Sequence, residues 1–231
     1  MFEQDVARIA HTCTIKHYIK NFSISSPEFK EIDGIVYTRN GNKLVACSAG
    51  KEHVMIPDGV KTIGKYAFAN CHIKSLILPD SVTTIGAYAF EECKDMESIV
   101  LGGNIEVIDE NAFESCKKLT SIVIPPSVFS IGDYAFLHSG LEDIRLNEGL
   151  KHIGVMAFTG TKIKSLQLPA SVVYLKTECI DDTMMEVTIP SFRKDVCKGF
   201  IKTFRPFPKN DTVLRLRCGE RCIYTVSYTH L

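Results

Sequence analysis

The side chains of this 231-residue chain with the widest chemical range are its nine cysteines and seven histidines. Cys218 and Cys222 stand in CGERC, a spacing that two zinc ligands could use. A tetrahedral site takes four donors, and no second pair follows at a fitting interval. A hairpin with facing thiols, or an incidental pair, accounts for the motif better. His11, Cys13 and His17 lie close together, yet His17 falls where a recurring cysteine sits further along, so a place in the fold explains it better than a metal. His53, His72, His138, His152 and His230 occur singly. G-x-S-x-G, H-E-x-x-H, G-x-x-x-x-G-K-[ST] and G-x-G-x-x-G are all absent. The expectation is a protein that is not an enzyme, with no catalytic residue, no metal ligand set and no cofactor.

Cys71, Cys93 and Cys116 recur at nearly one interval. A redox-sensing role would require bridges between neighbours. Adjacent parallel strands lie about 4.7–4.9 Å apart, farther than the roughly 3.5–4.5 Å between the Cβ atoms of a disulfide. A buried thiol acting as a small hydrophobe and weak donor to backbone is the better reading. Nine is an odd number without paired short spacings, so the cysteines read as mostly reduced.

The interval belongs to a longer pattern. Ala67-Phe68, Ala89-Phe90, Ala112-Phe113, Ala135-Phe136 and Ala157-Phe158 are separated by 22, 23, 23 and 22 residues. Ser139 and Thr161 replace the cysteine in the last two units. Ile63-Gly64, Ile85-Gly86, Ile108-Asp109, Ile131-Gly132 and Ile153-Gly154 precede the Ala-Phe pairs. Apolar triplets follow them, from Ile73, Leu76 and Leu78 through to Met184, Val187 and Ile189. Each triplet ends in a period-2 pair closed by Pro79, Gly102, Pro125, Asn147, Pro169 or Pro190, which predicts a short strand ended by a turn. A unit of this size encloses no core alone; stacked units cover one another's apolar faces. The glycine that follows four of these five Ile residues suits a bend where a side chain would clash or where φ turns positive.

The frame Val60-x-x-Ile63-Gly64-x-x-Ala67-Phe68-x-x-Cys71 followed by Leu76-x-Leu78-Pro79 resembles the BspA-like type of leucine-rich repeat. The resemblance implies an α/β solenoid: a right-handed leucine-rich-repeat coil with a parallel β-sheet on one face, an N-terminal β-hairpin insert and a short C-terminal helical cap. Residues 1–27 read as a degenerate N-terminal repeat that includes Ile19, Phe22 and Ile24, and 28–55 as a hairpin insert between repeats. In the insert Ile35, Tyr37, Leu44 and Ala46 flank the turn residues Asn40-Gly41-Asn42. Residues 56–190 hold the repeats, the sixth degenerate at Leu175-Lys176 and Cys179-Ile180. Residues 191–231 read as the cap, with Val196 and Phe200 on one side of a helix halted by Pro206. The final VSYTHL is similar to translated adapter sequence, a non-native tail.

Lys plus Arg equals Asp plus Glu at 27 each, which disfavours nucleic acid as a partner. No run reaches the roughly 18 apolar residues that cross a bilayer. The start, MFEQDVARIAHTC, lacks the basic head and apolar stretch of a signal peptide, as a fragment of an exported protein also would.

With Leu76 and Leu78 inward, strand alternation sends Ser75 and Ile77 to the open face of the sheet. The same step gives Ser98 and Val100, Ser121 and Val123, Asp143 and Arg145, Ser165 and Gln167, and Glu186 and Thr188. These twelve residues are the candidate partner-binding set: a serine row beside an apolar row, then a zone of charge and amide. Tyr66, Tyr88 and Tyr134, two residues before Phe, read as packing within the repeat. The expected function is a non-enzymatic protein-binding module. The family resemblance implies a cell-surface or secreted protein adhering to host proteins or other cells; an intracellular scaffold or regulator using the same sheet is the alternative, favoured by unpaired cysteines.

Overall fold

The computed structural model describes residues 27–48, 50–175, 186–189, 213–218 and 221–227. The residues around His17, the early unit at Ile19, Phe22 and Ile24, and the segment expected to form a cap helix before Pro206 lie outside these ranges.

Each unit forms one coil with two short strands. The apolar triplets supply a front row: β4 (His53–Met55), β6 (Ser75–Ile77), β8 (Ser98–Val100), β10 (Ser121–Val123), β12 (Asp143–Arg145), β14 (Ser165–Gln167) and β16 (Glu186–Ile189). The Ile-Gly segments supply a back row: β5 (Thr62–Ile63), β7 (Thr84–Ile85), β9 (Val107–Ile108), β11 (Ser130–Ile131), β13 (His152–Ile153) and β15 (Tyr174–Leu175). This second row was not expected. Ahead of it β1 (Phe29–Ile32), β2 (Ile35–Thr38) and β3 (Lys43–Cys47) run antiparallel, β2 and β3 joining around Asn40–Asn42. β3 then pairs in parallel with β5, so the meander and the back row make one nine-stranded sheet.

The coils stack in register. Phe68, Phe90, Phe113, Phe136 and Phe158 are fully buried, and their rings lie nearly parallel with centroids 5.1, 5.1, 5.3 and 5.7 Å apart. A third set of backbone bonds runs at this corner: Phe68 N donates to Ala89 O at 2.8 Å and Phe113 N to Ala135 O at 2.7 Å. Ile63, Ile85, Ile108, Ile131 and Ile153 fill the core from the back row, Leu76, Ile99, Ile122, Ile144 and Leu166 from the front. Offset stacking adds to the burial of each ring.

Three expectations change. The solenoid is all-β: among the described residues no helix occurs, and neither an α/β class nor a helical cap is supported. The Ala-Phe corner cannot be helical because it is bracketed by left-handed residues, Tyr66 and Asn70 in one coil (φ 57° and 58°), Tyr88 and Glu92 in the next (φ 59° and 58°). At the C-terminus, β17 (Val213–Cys218) and β18 (Arg221–Ser227) form a hairpin, and β17 pairs in parallel with β16. The front strands are also not one sheet; they pair as β4-β6-β8, β10-β12 and β14-β16-β17-β18.

The repeat glycines serve the first of the two purposes considered for them. Gly64, Gly86 and Gly132 have no positive φ, but a Cβ on them would come within 2.6, 2.8 and 2.6 Å of the preceding coil's backbone. Asp109 replaces glycine in one coil and turns its Oδ1 onto the Glu110 N–H at 2.8 Å.

Candidate functional site

A three-residue strand with its middle side chain buried presents its two outer ones on a single face. Leu76, Ile99, Ile122, Ile144 and Leu166 point inward. Ser75, Ile77, Ser98, Val100, Ser121, Val123, Asp143, Arg145, Ser165 and Gln167 are exposed, while Glu186 and Thr188 are half-buried. Parallel register sets Ser75 beside Ser98 and Ile77 beside Val100, Ser121 beside Asp143 and Val123 beside Arg145, Ser165 beside Glu186 and Gln167 beside Thr188.

Sequence reasoning missed the first rung. His53 pairs with Ser75 and Met55 with Ile77, so β4 extends both rows by one coil. Met55 is 92% exposed, followed along its row by Ile77 at 69% and Val100 and Val123 at 57% each. The signal was available: Val54 precedes Leu76 by one repeat, and Pro57 closes HVMIP as Pro79 closes SLILP. At the other end, register places Arg215 beside Glu186 and Arg217 beside Thr188.

The charged end and the flank behave differently. Asp143 and Arg145 make no ion pair with any described residue, so both remain open to a partner. Along the flank, charges bridge consecutive coils: Lys74 to Glu52 at 2.7 Å, Lys118 to Asp95 at 2.8 Å, and Lys162 to Glu142 at 3.1 Å. His72 Nδ1 lies 2.8 Å from the other Asp95 oxygen. The bonds from Lys118 and then His72 hold the Asp95 carboxyl down at about 2. The Lys74 bond likewise lowers Glu52. Such exposed pairs set the charge pattern and add little stability.

The cysteine ladder is structural. Cys93 Sγ donates to Phe68 O at 3.0 Å and Cys116 Sγ to Phe90 O at 3.2 Å, with a longer contact of 3.8 Å from Cys71 Sγ to Cys47 O. All four are buried free thiols, and burial pushes the Cys116 thiol far above its ordinary value. A thiol so raised is a poor nucleophile and a poor metal ligand. In the C-terminal hairpin the register pairs Cys218 with Arg221 and Cys222 with Arg217, so the two cysteines are not opposite one another in the ladder. Among the described residues no cluster of His, Cys, Asp and Glu is assembled to hold a metal ion. Tyr66 and Tyr88 stack at 4.7 Å beneath Lys65, whose Nζ lies 5.3 and 5.4 Å from the two ring centres.

Solved structures share this architecture. A leucine-rich cell surface protein from Faecalibacterium prausnitzii A2-165 is 26% identical with a TM-score of 0.53, covering 79% of this chain and 44% of its own. The pneumococcal vaccine antigen PcpA is 19% identical with a TM-score of 0.59, covering 76% and 45%. The leucine-rich repeat protein of T. pallidum is 23% identical with a TM-score of 0.58, covering 78% and 95%. The chain thus spans less than half the length of the first two. No curated protein sequence matches it. The family model for the BspA type leucine-rich repeat region matches six copies over residues 61–186, more than half of the sequence, and the chain belongs to that family.

Proposed function

We propose that this is a non-enzymatic protein-binding module of a cell-surface or secreted protein, and that it adheres to host proteins or other cells through the front strands. The observation that carries this reading is the row Met55, Ile77, Val100 and Val123: four large apolar side chains, more than half exposed, in consecutive rungs. A row of this kind is a contact surface when a partner removes it from water. The flanking hydroxyls of Ser75, Ser98 and Ser121 and the open charges of Asp143 and Arg145 supply orientation. Surface placement is supported by the relative from F. prausnitzii, described as a cell surface protein. No helix among the described residues is long and apolar enough to cross a membrane.

The test is attachment of the folded chain to immobilised extracellular-matrix proteins and to cells. Saturable binding that falls by about tenfold or more in Ile77→Glu and Val100→Glu, with melting unchanged, supports the reading; the tenfold corresponds to about 1.4 kcal/mol. Absence of saturable binding, or binding indifferent to both substitutions, refutes it.

A further inference from the structure

A groove of about 560 Å³ lies away from the front face, at the corner where each coil passes from its front strand to its back strand. One position in four consecutive coils lines it: Lys61, Thr83, Glu106 and Phe129. Backbone bonds hold these four in line, Thr83 N to Lys61 O at 2.9 Å, Glu106 N to Thr83 O at 2.8 Å and Phe129 N to Glu106 O at 3.0 Å. Asp80 and Asn104 lie on its wall.

Its polar groups are only partly used by the fold. Asp80 Oδ1 accepts from Gly103 N at 2.7 Å, Asn104 Nδ2 donates to Asp80 O at 3.0 Å, and Thr83 Oγ1 donates to Lys61 O at 3.3 Å. These bonds fix the side chains in place and leave Asp80 Oδ2 and Asn104 Oδ1, on two exposed residues, with acceptor capacity. The side chains of Lys61 and Glu106 have no hydrogen bond or ion pair among the described residues. Phe129, 41% exposed, offers part of its ring at one end of this polar line.

We propose that this groove binds a short neutral oligosaccharide. Sugars combine an apolar C–H face, which packs on an aromatic ring, with many hydroxyls that bond to fixed carboxylates, amides and ammonium groups. The volume falls in the range of small-molecule sites, about 300–1,000 Å³. Coils recur at about 4.7–4.9 Å, close to the length of one ring in an extended sugar chain, so each coil offers a group to one sugar unit. One ammonium against two carboxylates disfavours a polyanionic chain. The proposal does not depend on the front face.

The test is an amide chemical-shift titration of the full chain with cellotetraose, chitotetraose, maltotetraose and mannotetraose, and with a heparin tetrasaccharide as the polyanionic comparison. The expected result is saturable shifts at Thr83, Asn104, Glu106 and Phe129 with at least one neutral sugar. Phe129→Ala and Glu106→Gln should each weaken that binding by about tenfold or more, and Ile77→Glu should leave it unchanged. Glu106→Gln retains shape and exposure, so it reads out the site even where Phe129→Ala compromises folding. No saturable shift with any neutral sugar, tighter binding of heparin, or unaltered affinity in folded Glu106→Gln overturns the proposal.

Discussion

At the scale of single residues, the repeat makes each coil a control for the next. Thr161, in the place of the cysteine, donates its hydroxyl to Phe158 O at 2.8 Å. Ser139 holds the same place, yet its Oγ is buried with no hydrogen-bond partner. Leaving such a group unpaired costs about 1–3 kcal/mol, so Ser139→Ala should raise stability by about 1 kcal/mol in chemical denaturation; a loss of stability would contradict the geometry. Phe113 lies between two rings at 5.1 and 5.3 Å, and Phe113→Ala should cost about 3–5 kcal/mol. Burial pushes the Tyr37 phenol up to about 12, with Cys47 and Asp33 adding to the rise. Its unfolded value is about 10. Between these values the unfolded chain loses the proton and the native one keeps it, so the stability Tyr37 contributes is complete below about pH 10 and lost as the pH climbs towards 12. Tyr37→Phe should flatten that decline in alkaline denaturation curves.

At the scale of elements, the sequence shows where strands fall but not which of them bond. The triplets place the front strands correctly, since Leu and Ile at fixed intervals have one face to bury. The back strands escaped notice because two residues with a following glycine carry too short a period to distinguish strand from bend. Left-handed Tyr66, Tyr88 and Tyr134 bear no glycine or asparagine to advertise them; bonds from their backbone N–H groups to the next coil, at 3.1, 2.9 and 2.7 Å, hold the conformation. The front-row breaks are equally silent, because the intervals that span them, 23 and 22 residues, also occur where neighbouring strands pair. They leave a measurable trace. Leu78 N donates to Val100 O at 2.9 Å, Ile124 N to Arg145 O at 2.9 Å and Leu168 N to Thr188 O at 2.8 Å, whereas the equivalent N–H groups of Leu101 and Leu146, at the two breaks, have no partner among the described residues. In native-state hydrogen exchange Leu101 and Leu146 should therefore exchange well ahead of Leu78, Ile124 and Leu168. Equal protection at all five positions would mean that the front sheet is continuous.

At the scale of the whole molecule, the candidate binding face was legible because alternation about a buried middle residue needs only the repeat phase. Its first rung was missed because β4 belongs to a coil that the antiparallel strands interrupt, so no Ala-Phe pair announces it. The same one-dimensional order governs how the molecule comes apart. Each coil touches only its neighbours, and stability is close to a sum of coil and interface contributions. Phe113 shares ring contacts with both Phe90 and Phe136, while Phe158 stacks on Phe136 alone among the described residues. Phe158→Ala should accordingly free the amides of its own and the adjacent coil to exchange, and leave Phe68 N–H and Phe90 N–H as protected as in the unmodified chain. Phe113→Ala should lower protection on both sides of the damaged coil. If Phe158→Ala instead depresses protection uniformly from Phe68 onward, the column unfolds as a single unit and nearest-neighbour additivity does not describe it.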